Sequence, residues 1–444
     1  MAVLFTELDR ATEAVSLSAM HNMGLRRVRR FNVLSDFMGS GIWLMDAPPA
    51  FNIASLEHIQ GLIYAEPDEE HIYSSLLWRD VRPFGTDTMT LPEVTGESGA
   101  LRSALPTILD IMQVSQVHRL GIRGKGTLIL VVDSGVNGNR IPDSVKAGGW
   151  SDDPISNDPW TDEMGHGTMV AMIAHAVAPE AGIFSIKLRA GPNGGLMKLS
   201  VLDALDDLLP ALAGQQVIMN NSWGTPGCAA QGQPYWCNMI PTRIVWKLVN
   251  HNLATVVFAA GNSNKDCSAG AGGETSPSIL CINSTPGAVT TAALDKDGLP
   301  LYYSSRGPGQ CSLLHPFIAA PTFGTLPYGQ GWIDTRGQGA GTSSTAPMIA
   351  GICALLRSAY PRIDNVHLMH ILAISAKMTI EYETSIFTAG GDRVPFSYTT
   401  GFGMVQAMDA LRSVSSPRTS PHHHIVQEFV SQRPNIGTLP TLVH

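Results

Sequence analysis

Continuous apolar runs rich in β-branched residues, bounded by turn residues, recur through the middle of this 444-residue chain. Thr127 to Val132 (TLILVV) is the clearest, and Ile183 to Leu188, Gln216 to Met219 and Thr255 to Ala259 repeat the pattern. A strand with one wet face alternates apolar and polar residues, whereas a continuous run needs cover on both faces, as in a parallel sheet under helices. Helix-like segments fall between the runs, at Thr168 to Ala176 and Leu199 to Leu212. This alternation predicts an α/β fold with a mostly parallel central sheet flanked by helices, beginning near residue 109. No run approaches the ~18–20 apolar residues that cross a bilayer, so no membrane partner is expected. With 44% hydrophobic and only 15% charged residues the chain is not disordered or coiled-coil in type. Its net charge of −8 offers no field for nucleic acid.

The first 73 residues read differently. Ala2 to Leu8 reads as a strand and Ala11 to Met23 as a helix. Arg27 to Leu34 and Gly41 to Asp46 read as two strands, Ser55 to Leu62 as a short helix, and Ile63 to Glu66 as a last strand. That βαββαβ order is the ferredoxin-like arrangement, a small α+β unit. Residues 74–108, with scattered Pro, Gly, Thr and Ser, read as a linker or N-terminal extension. Val366 to Lys377 and Met404 to Arg412 read as helices. The segment 413–444 reads as a poorly ordered tail, and its His422-His423-His424 run as solvated, with weak metal binding the alternative. The start of the chain lacks the pattern of a secretory signal, which leaves an intracellular protein or a chain given without its signal. The six cysteines lack zinc spacing. Cys228 with Cys237, or Cys267 with Cys281, could close a disulfide around a short loop; free buried thiols are the other reading.

Three segments place a reactive residue after a buried strand or at a helix start. They are Val132-Asp133-Ser134-Gly135, Gly165-His166-Gly167-Thr168, and Gly341-Thr342-Ser343 with Pro347. Taken singly, Asp133 reads as a turn residue, His166 as a helix-start histidine and Ser343 as a helix cap. Together they follow the order Asp, His, Ser, 33 and then 177 residues apart, each in a glycine-rich setting. With Ala259-Ala260-Gly261-Asn262, they resemble the motifs of the subtilisin-like (subtilase, S8) serine peptidases, over about 109–412.

The resemblance implies a subtilisin-like fold and a serine endopeptidase working through an acyl-enzyme. Ser343 would be the nucleophile, His166 the general base and Asp133 its orienting carboxylate, with Asn262 in the oxyanion hole. It implies peptide or protein substrates paired between Ser222-Trp223-Gly224 and the segment holding Gly194 and Gly195, with Ala259, Ala260 and Gly261 as a pocket wall. The bulk of Trp223 is expected to narrow an adjoining subsite. Ser344-Thr345-Ala346 departs from the Met-Ala-Ser common after the nucleophile, a compact change expected to fit. No cofactor is required. The acidic stretch Asp152, Asp153, Asp158, Asp162 and Glu163 reads as a solvated loop or as a calcium site. Residues 1–73 resemble a propeptide that assists folding and inhibits, its end lying in the cleft, so the chain's own N-terminal unit is an expected partner. The alternative is a subtilase fold kept inactive by a retained N-terminal unit and acting as a binding module.

Overall fold

In the computed structural model, the residues described are 2–49, 51–67, 70–71, 107–190, 196–225, 237, 239–267, 278–322, 341–379, 384–391 and 393–434. Four strands near the N-terminus are β1 (Ala2–Leu8), β2 (Arg26–Arg30), β3 (Gly41–Ala47) and β4 (Leu62–Pro67). They form an antiparallel sheet in the order β2-β3-β1-β4. Helix α1 (Glu13–Asn22) and a short 3₁₀ turn at Ile53–His58 accompany it. The second expected strand is shorter than the sequence suggests. It ends at Arg30, and Asn32–Met38 forms a helix, α2, because Leu34 turns into the core while Gly39 adopts a left-handed conformation (φ +77°) that stops the helix.

Strand alternation gives this small sheet two buried faces. Leu4, Leu8, Met45 and Ala65 pack with Leu17 and Met20 of α1. Phe5, Ile42, Leu44 and Tyr64 point the other way and join the core of the large domain. That second face meets helices α3 (Lys198–Leu212) and α4 (Ile240–Asn250). Asp206 accepts from the Leu34 N–H at 2.7 Å. Lys247 Nζ donates to the Phe37 and Met38 carbonyls at 2.8 and 2.9 Å. Buried Glu7 is ion-paired with Arg243, and Glu66 accepts from the Ile240 N–H at 3.1 Å. Beyond β4, Glu70–His71 (β5) pairs antiparallel with Leu196–Met197 (β9).

The large domain is built on seven strands, all parallel. Leu128–Asp133 (β6) lies inside the sheet, with Gly182–Lys187 (β8) and then Lys146–Ser151 (β7) on one side. On the other side follow Val217–Asn221 (β10), Thr255–Ala259 (β11), Val289–Leu294 (β12) and Ile318–Pro321 (β13). The strand order reverses beside β6, and such a switch point opens a crevice at the carboxyl ends of the strands. The β-branched runs read from the sequence are β6, β8, β10 and β11, and β10 and β11 are buried throughout.

Helix α5 (His166–Val177) and helix α6 (Thr342–Ala359) cross against one another beneath the sheet. Every residue of α6 from Thr342 to Arg357 is buried. Ala346, Ala350, Gly351 and Ala354 keep it slim enough for that position. Among the described residues no helix is long and apolar enough to cross a membrane.

Two expectations fail at the C-terminal end and at the cysteines. Residues 413–434 are not a loose tail. Helix α7 (Asn365–Ser375) and helix α8 (Pro421–Ser431) pack together, and α8 buries His423, Ile425, Val426, Phe429 and Val430. Ser420 caps α8 by accepting from the His423 N–H at 3.1 Å. The polar look of the segment comes from its outer face, with His424, Gln427 and Glu428 exposed, and from the buried His423. The cysteines do not pair with near neighbours either. Cys237 bonds Cys311, 74 residues away, and Cys281 and Cys353 are buried and in no disulfide. Cys267 is disulfide-bonded, to a partner outside the described residues. Loop-bracketing spacing misled because the tertiary fold, not sequence distance, brings Cys311 within 5.3 Å (Cα–Cα) of Cys237.

Candidate active site

The carboxyl ends of β6, β10 and β11 and the amino ends of α5 and α6 converge on one place. Asp133 ends β6 and is fully buried. His166 opens α5, and its Nδ1 lies 2.8 Å from Asp133 Oδ1. The second interaction of that carboxylate oxygen is the Ser134 N–H, at 2.8 Å. A carboxylate held this way orients the imidazole and would stabilise its cationic form. The approach requires glycine at 167. A Cβ there would fall 2.1 Å from the Gly135 carbonyl oxygen and 3.0 Å from Asp133 Cβ.

Asp162 holds the His166 turn in place. Its Oδ1 accepts from the Gly165 and Met164 N–H groups at 2.9 and 3.1 Å and from Ser134 Oγ at 2.9 Å. Its Oδ2 accepts from the Thr168 N–H at 2.8 Å and from Thr168 Oγ1 at 2.5 Å. One carboxylate thus caps α5 and ties it to the loop after Asp133. Burial pushes the Asp162 carboxyl above its ordinary range, against the pull of those donors.

The acidic stretch is only partly a solvated loop: Asp158 and Glu163 are exposed, while Asp152, Asp153 and Asp162 are drawn inward. Besides Asp162, Glu163 and Asp153 lie 2.7 and 3.6 Å from Nζ of buried Lys187, and Asp152 pairs with Arg189 at 3.5 Å. Asp158 accepts from the Trp160 N–H at 2.9 Å. These carboxylates meet cations and N–H groups of the chain itself. The sequence signal for Asp162 was its place just before a helix start, which the reading of the segment as one acidic cluster passed over.

Ser343 is the second residue of α6 and is 1% exposed. Its Oγ donates to the Ser222 carbonyl at 3.1 Å, while Ser222 Oγ donates to the Ser343 carbonyl at 2.9 Å. Pro347 explains the second bond. An α-helix would spend the 347 N–H on the 343 carbonyl, and proline has no N–H, so that carbonyl is left for Ser222. Two departures from the family motif are also accounted for. Ser344 Oγ bonds Thr322 Oγ1 at 2.6 Å and Thr345 Oγ1 bonds Thr291 Oγ1 at 2.7 Å, so both hydroxyls seam the helix to the sheet.

Asn262 lies just beyond β11. Its Oδ1 accepts from the Thr342 N–H at 2.9 Å and Thr342 Oγ1 at 3.1 Å. Its Nδ2 is buried and has no hydrogen-bond partner, which leaves a fixed donor beside Ser343. Gly261, at φ +104°, turns the chain there and donates its N–H to Thr342 Oγ1 at 3.0 Å. Ala259 and Ala260 are buried at the end of the same strand.

The sequence missed Asn283. This buried residue donates both hydrogens of its amide, to the Trp223 carbonyl at 2.8 Å and the Ala259 carbonyl at 2.9 Å. It bridges the two segments expected to form opposite pocket walls. Gly224 leaves it room, since a Cβ there would sit 2.2 Å from Asn283 Oδ1. Nothing local in the sequence marks Asn283, because its role exists only once two distant strand ends are adjacent. Trp223 corrects an expectation. Its indole does not stand in a subsite. It is buried against Phe258, ring centres 5.7 Å apart, and Nε1 donates to the Val132 carbonyl at 2.9 Å. Gly194 and Gly195 lie outside the described residues.

A family model described as the subtilase family matches residues 124–403, more than half of the chain. The chain belongs to the subtilase family. This subtilase is 25% identical over 283 residues to Subtilisin E of Bacillus subtilis (strain 168), covering 62% of this chain and 66% of that one. It is 26% identical over 363 residues to Mycosin-4 of Mycobacterium tuberculosis, covering 73% of each. The chain thus spans just under two thirds of the length of Subtilisin E. Among solved structures, fervidolysin of Fervidobacterium pennivorans superposes with a TM-score of 0.59 at 19% identity, covering 93% of this chain and 61% of that one, which is a likeness of fold.

Proposed function

We propose that this subtilase is a serine endopeptidase made as a self-inhibited precursor. The observation that carries this reading is the Asp133–His166 pair at 2.8 Å beside a helix-start Ser343 and an undonated Asn262 amide. In the proposed reaction Ser343 Oγ leaves the Ser222 carbonyl and turns to His166, which takes its proton as Oγ bonds the scissile carbonyl carbon. The oxyanion collects the Asn262 Nδ2 hydrogen and the Ser343 N–H at the positive end of α6. His166 then protonates the leaving amine as the C–N bond breaks. Water repeats the sequence on the acyl-enzyme and frees Ser343. No cofactor enters these steps.

Substrate would lie extended between the Ser222–Gly224 edge and the segment of Gly194 and Gly195, against Ala259 to Gly261, with backbone bonds giving broad recognition. The self-inhibition rests on the N-terminal unit. Its sheet shares a core with the large domain, and β5 pairs with Leu196–Met197 beside the proposed substrate segment. An inhibitor that docks on α3 and α4 and feeds its end along a substrate edge blocks the cleft by mimicry.

That same shared core favours a second reading, in which the N-terminal unit stays clamped and the chain acts as a binding module. One comparison separates them. Wild-type chain should shorten by about 8–12 kDa on purification, the mass of the 73 to 108 residues before the candidate cut points, at ~110 Da each. Ser343→Ala should stay full length by intact mass. Equal lengths together with no labelling of wild type by a serine-directed phosphonate would remove the endopeptidase reading and leave the clamp.

A further inference from the structure

Away from the cleft, three histidines meet between α7 and α8. His367 and His370 are spaced three apart and so share a face of α7; His423 comes from the first turn of α8. Their ring centres are 5.7, 6.4 and 5.0 Å apart, and one ring nitrogen from each lies within 4.8 Å of the others. All three residues are buried. Two of the rings are oriented from behind. His367 Nε2 bonds the Val414 carbonyl at 2.7 Å and His370 Nε2 bonds Ser420 Oγ at 2.9 Å. Nδ1 of all three is buried and has no hydrogen-bond partner.

Three buried imidazole nitrogens without partners are costly as they stand. The same arrangement, with the second ring nitrogen tied to a carbonyl or hydroxyl, is how proteins present histidine to a metal ion. We propose that His367, His370 and His423 form a three-imidazole site for a divalent transition ion of the zinc or cobalt type, which fastens the C-terminal helix α8 to the catalytic domain. Three nitrogens on one tetrahedral ion lie about 3.4 Å apart, so closing the site from 4.8 Å asks for a small rotation of the rings. The fourth position is left to water. The charges facing the cluster are Arg418, Asp364, His422 and His424, and Arg418 is ion-paired with Asp364 at 2.9 Å.

The ion's role would be structural. Residues of the turn after α6 and His367 line one surface cleft, which places the cluster at the end of α6 opposite Ser343. An 18-residue helix is about 27 Å long.

The test uses the full chain, purified without a histidine tag and dialysed against a chelator. Titration with Co²⁺ should give a visible ligand-field band that saturates at one equivalent, is displaced by Zn²⁺, and accompanies a rise in Tm. His370→Gln and His423→Gln should each weaken Co²⁺ binding about 100-fold or more, with folding checked by circular dichroism. His424→Gln, at an exposed position, should bind as wild type does. Absence of the band in folded wild-type protein overturns the proposal whatever the variants do. A band that survives in both His370→Gln and His423→Gln overturns it as well, because the ion would then sit on surface histidines.

Discussion

Asn262 has one amide whose two ends meet different fates. Oδ1 is committed to Thr342, and this fixes the direction in which Nδ2 points. A buried amide hydrogen without a partner is unfavourable in the resting protein; in the proposed reaction it would gain its bond only when an oxyanion forms, which is differential binding of the transition state. Asn262→Ala should therefore lower kcat about 10²–10³-fold while KM stays within about threefold, by steady-state assay of a peptide substrate. A matched loss in KM would show that Asn262 serves ground-state binding instead. Asp133, His166, Ser343 and Asn262 were legible in the sequence because each sits in a short motif. Asp162 and Asn283 were not. Their partners are carbonyls, N–H groups and hydroxyls whose positions depend on the fold.

The two helices that begin at His166 and Thr342 are positioned by their contact further along. A Cβ at Gly351 of α6 would fall 2.6 Å from Val177 Cβ, near the end of α5. Close packing there sets how the two amino ends meet in the cleft. Gly351→Val should destabilise the protein by about 1–3 kcal/mol or more and lower activity at temperatures where it remains folded. Urea unfolding with a parallel assay checks this, and unchanged stability would mean that the helices tolerate separation. The central strands were readable as elements because a continuous apolar run has few other solutions in water. Helix α8 was not, because its polar outer face and three successive histidines hide an inner face of Ile425, Val426, Phe429 and Val430.

Across the whole molecule, two kinds of contact decide behaviour. The first joins the N-terminal sheet to the large domain. Glu7 is almost wholly buried and ion-paired with Arg243, so removing one partner leaves an uncompensated charge. If the N-terminal unit inhibits as proposed, Arg243→Ala should weaken that inhibition about tenfold or more, read as higher activity of unprocessed chain. Unchanged latency would place the inhibitory contact elsewhere. The second is the packing of His315 on Phe429 of α8, with ring centres 5.3 Å apart. Burial pushes His315 down to about 3 from an ordinary 6.5. The unfolded chain takes up that proton near pH 6.5, and the folded protein resists it until about 3. The unfolded state binds more protons in this window, so the stability contributed by His315 is full above pH 6.5 and is lost as pH falls, by up to about 1.4 kcal/mol per unit. His315→Gln should flatten the decline between pH 7 and 5 in denaturant titrations. A parallel decline in both proteins would assign the acid sensitivity to other groups.

The α/β class, the parallel sheet, the small N-terminal α+β unit and the Asp-His-Ser order were determined by sequence alone. Each rests on local pattern, that is, side-chain periodicity or a glycine-flanked motif within a few residues. The bonding of Cys237 to Cys311, the pairing of Asp153 and Glu163 with Lys187, the bridge made by Asn283 and the meeting of His367, His370 and His423 were decided only by tertiary structure. Those contacts join residues far apart in the chain. Their partners are chosen by which surfaces the sheet and its helices must bury, and no short stretch of sequence carries that information.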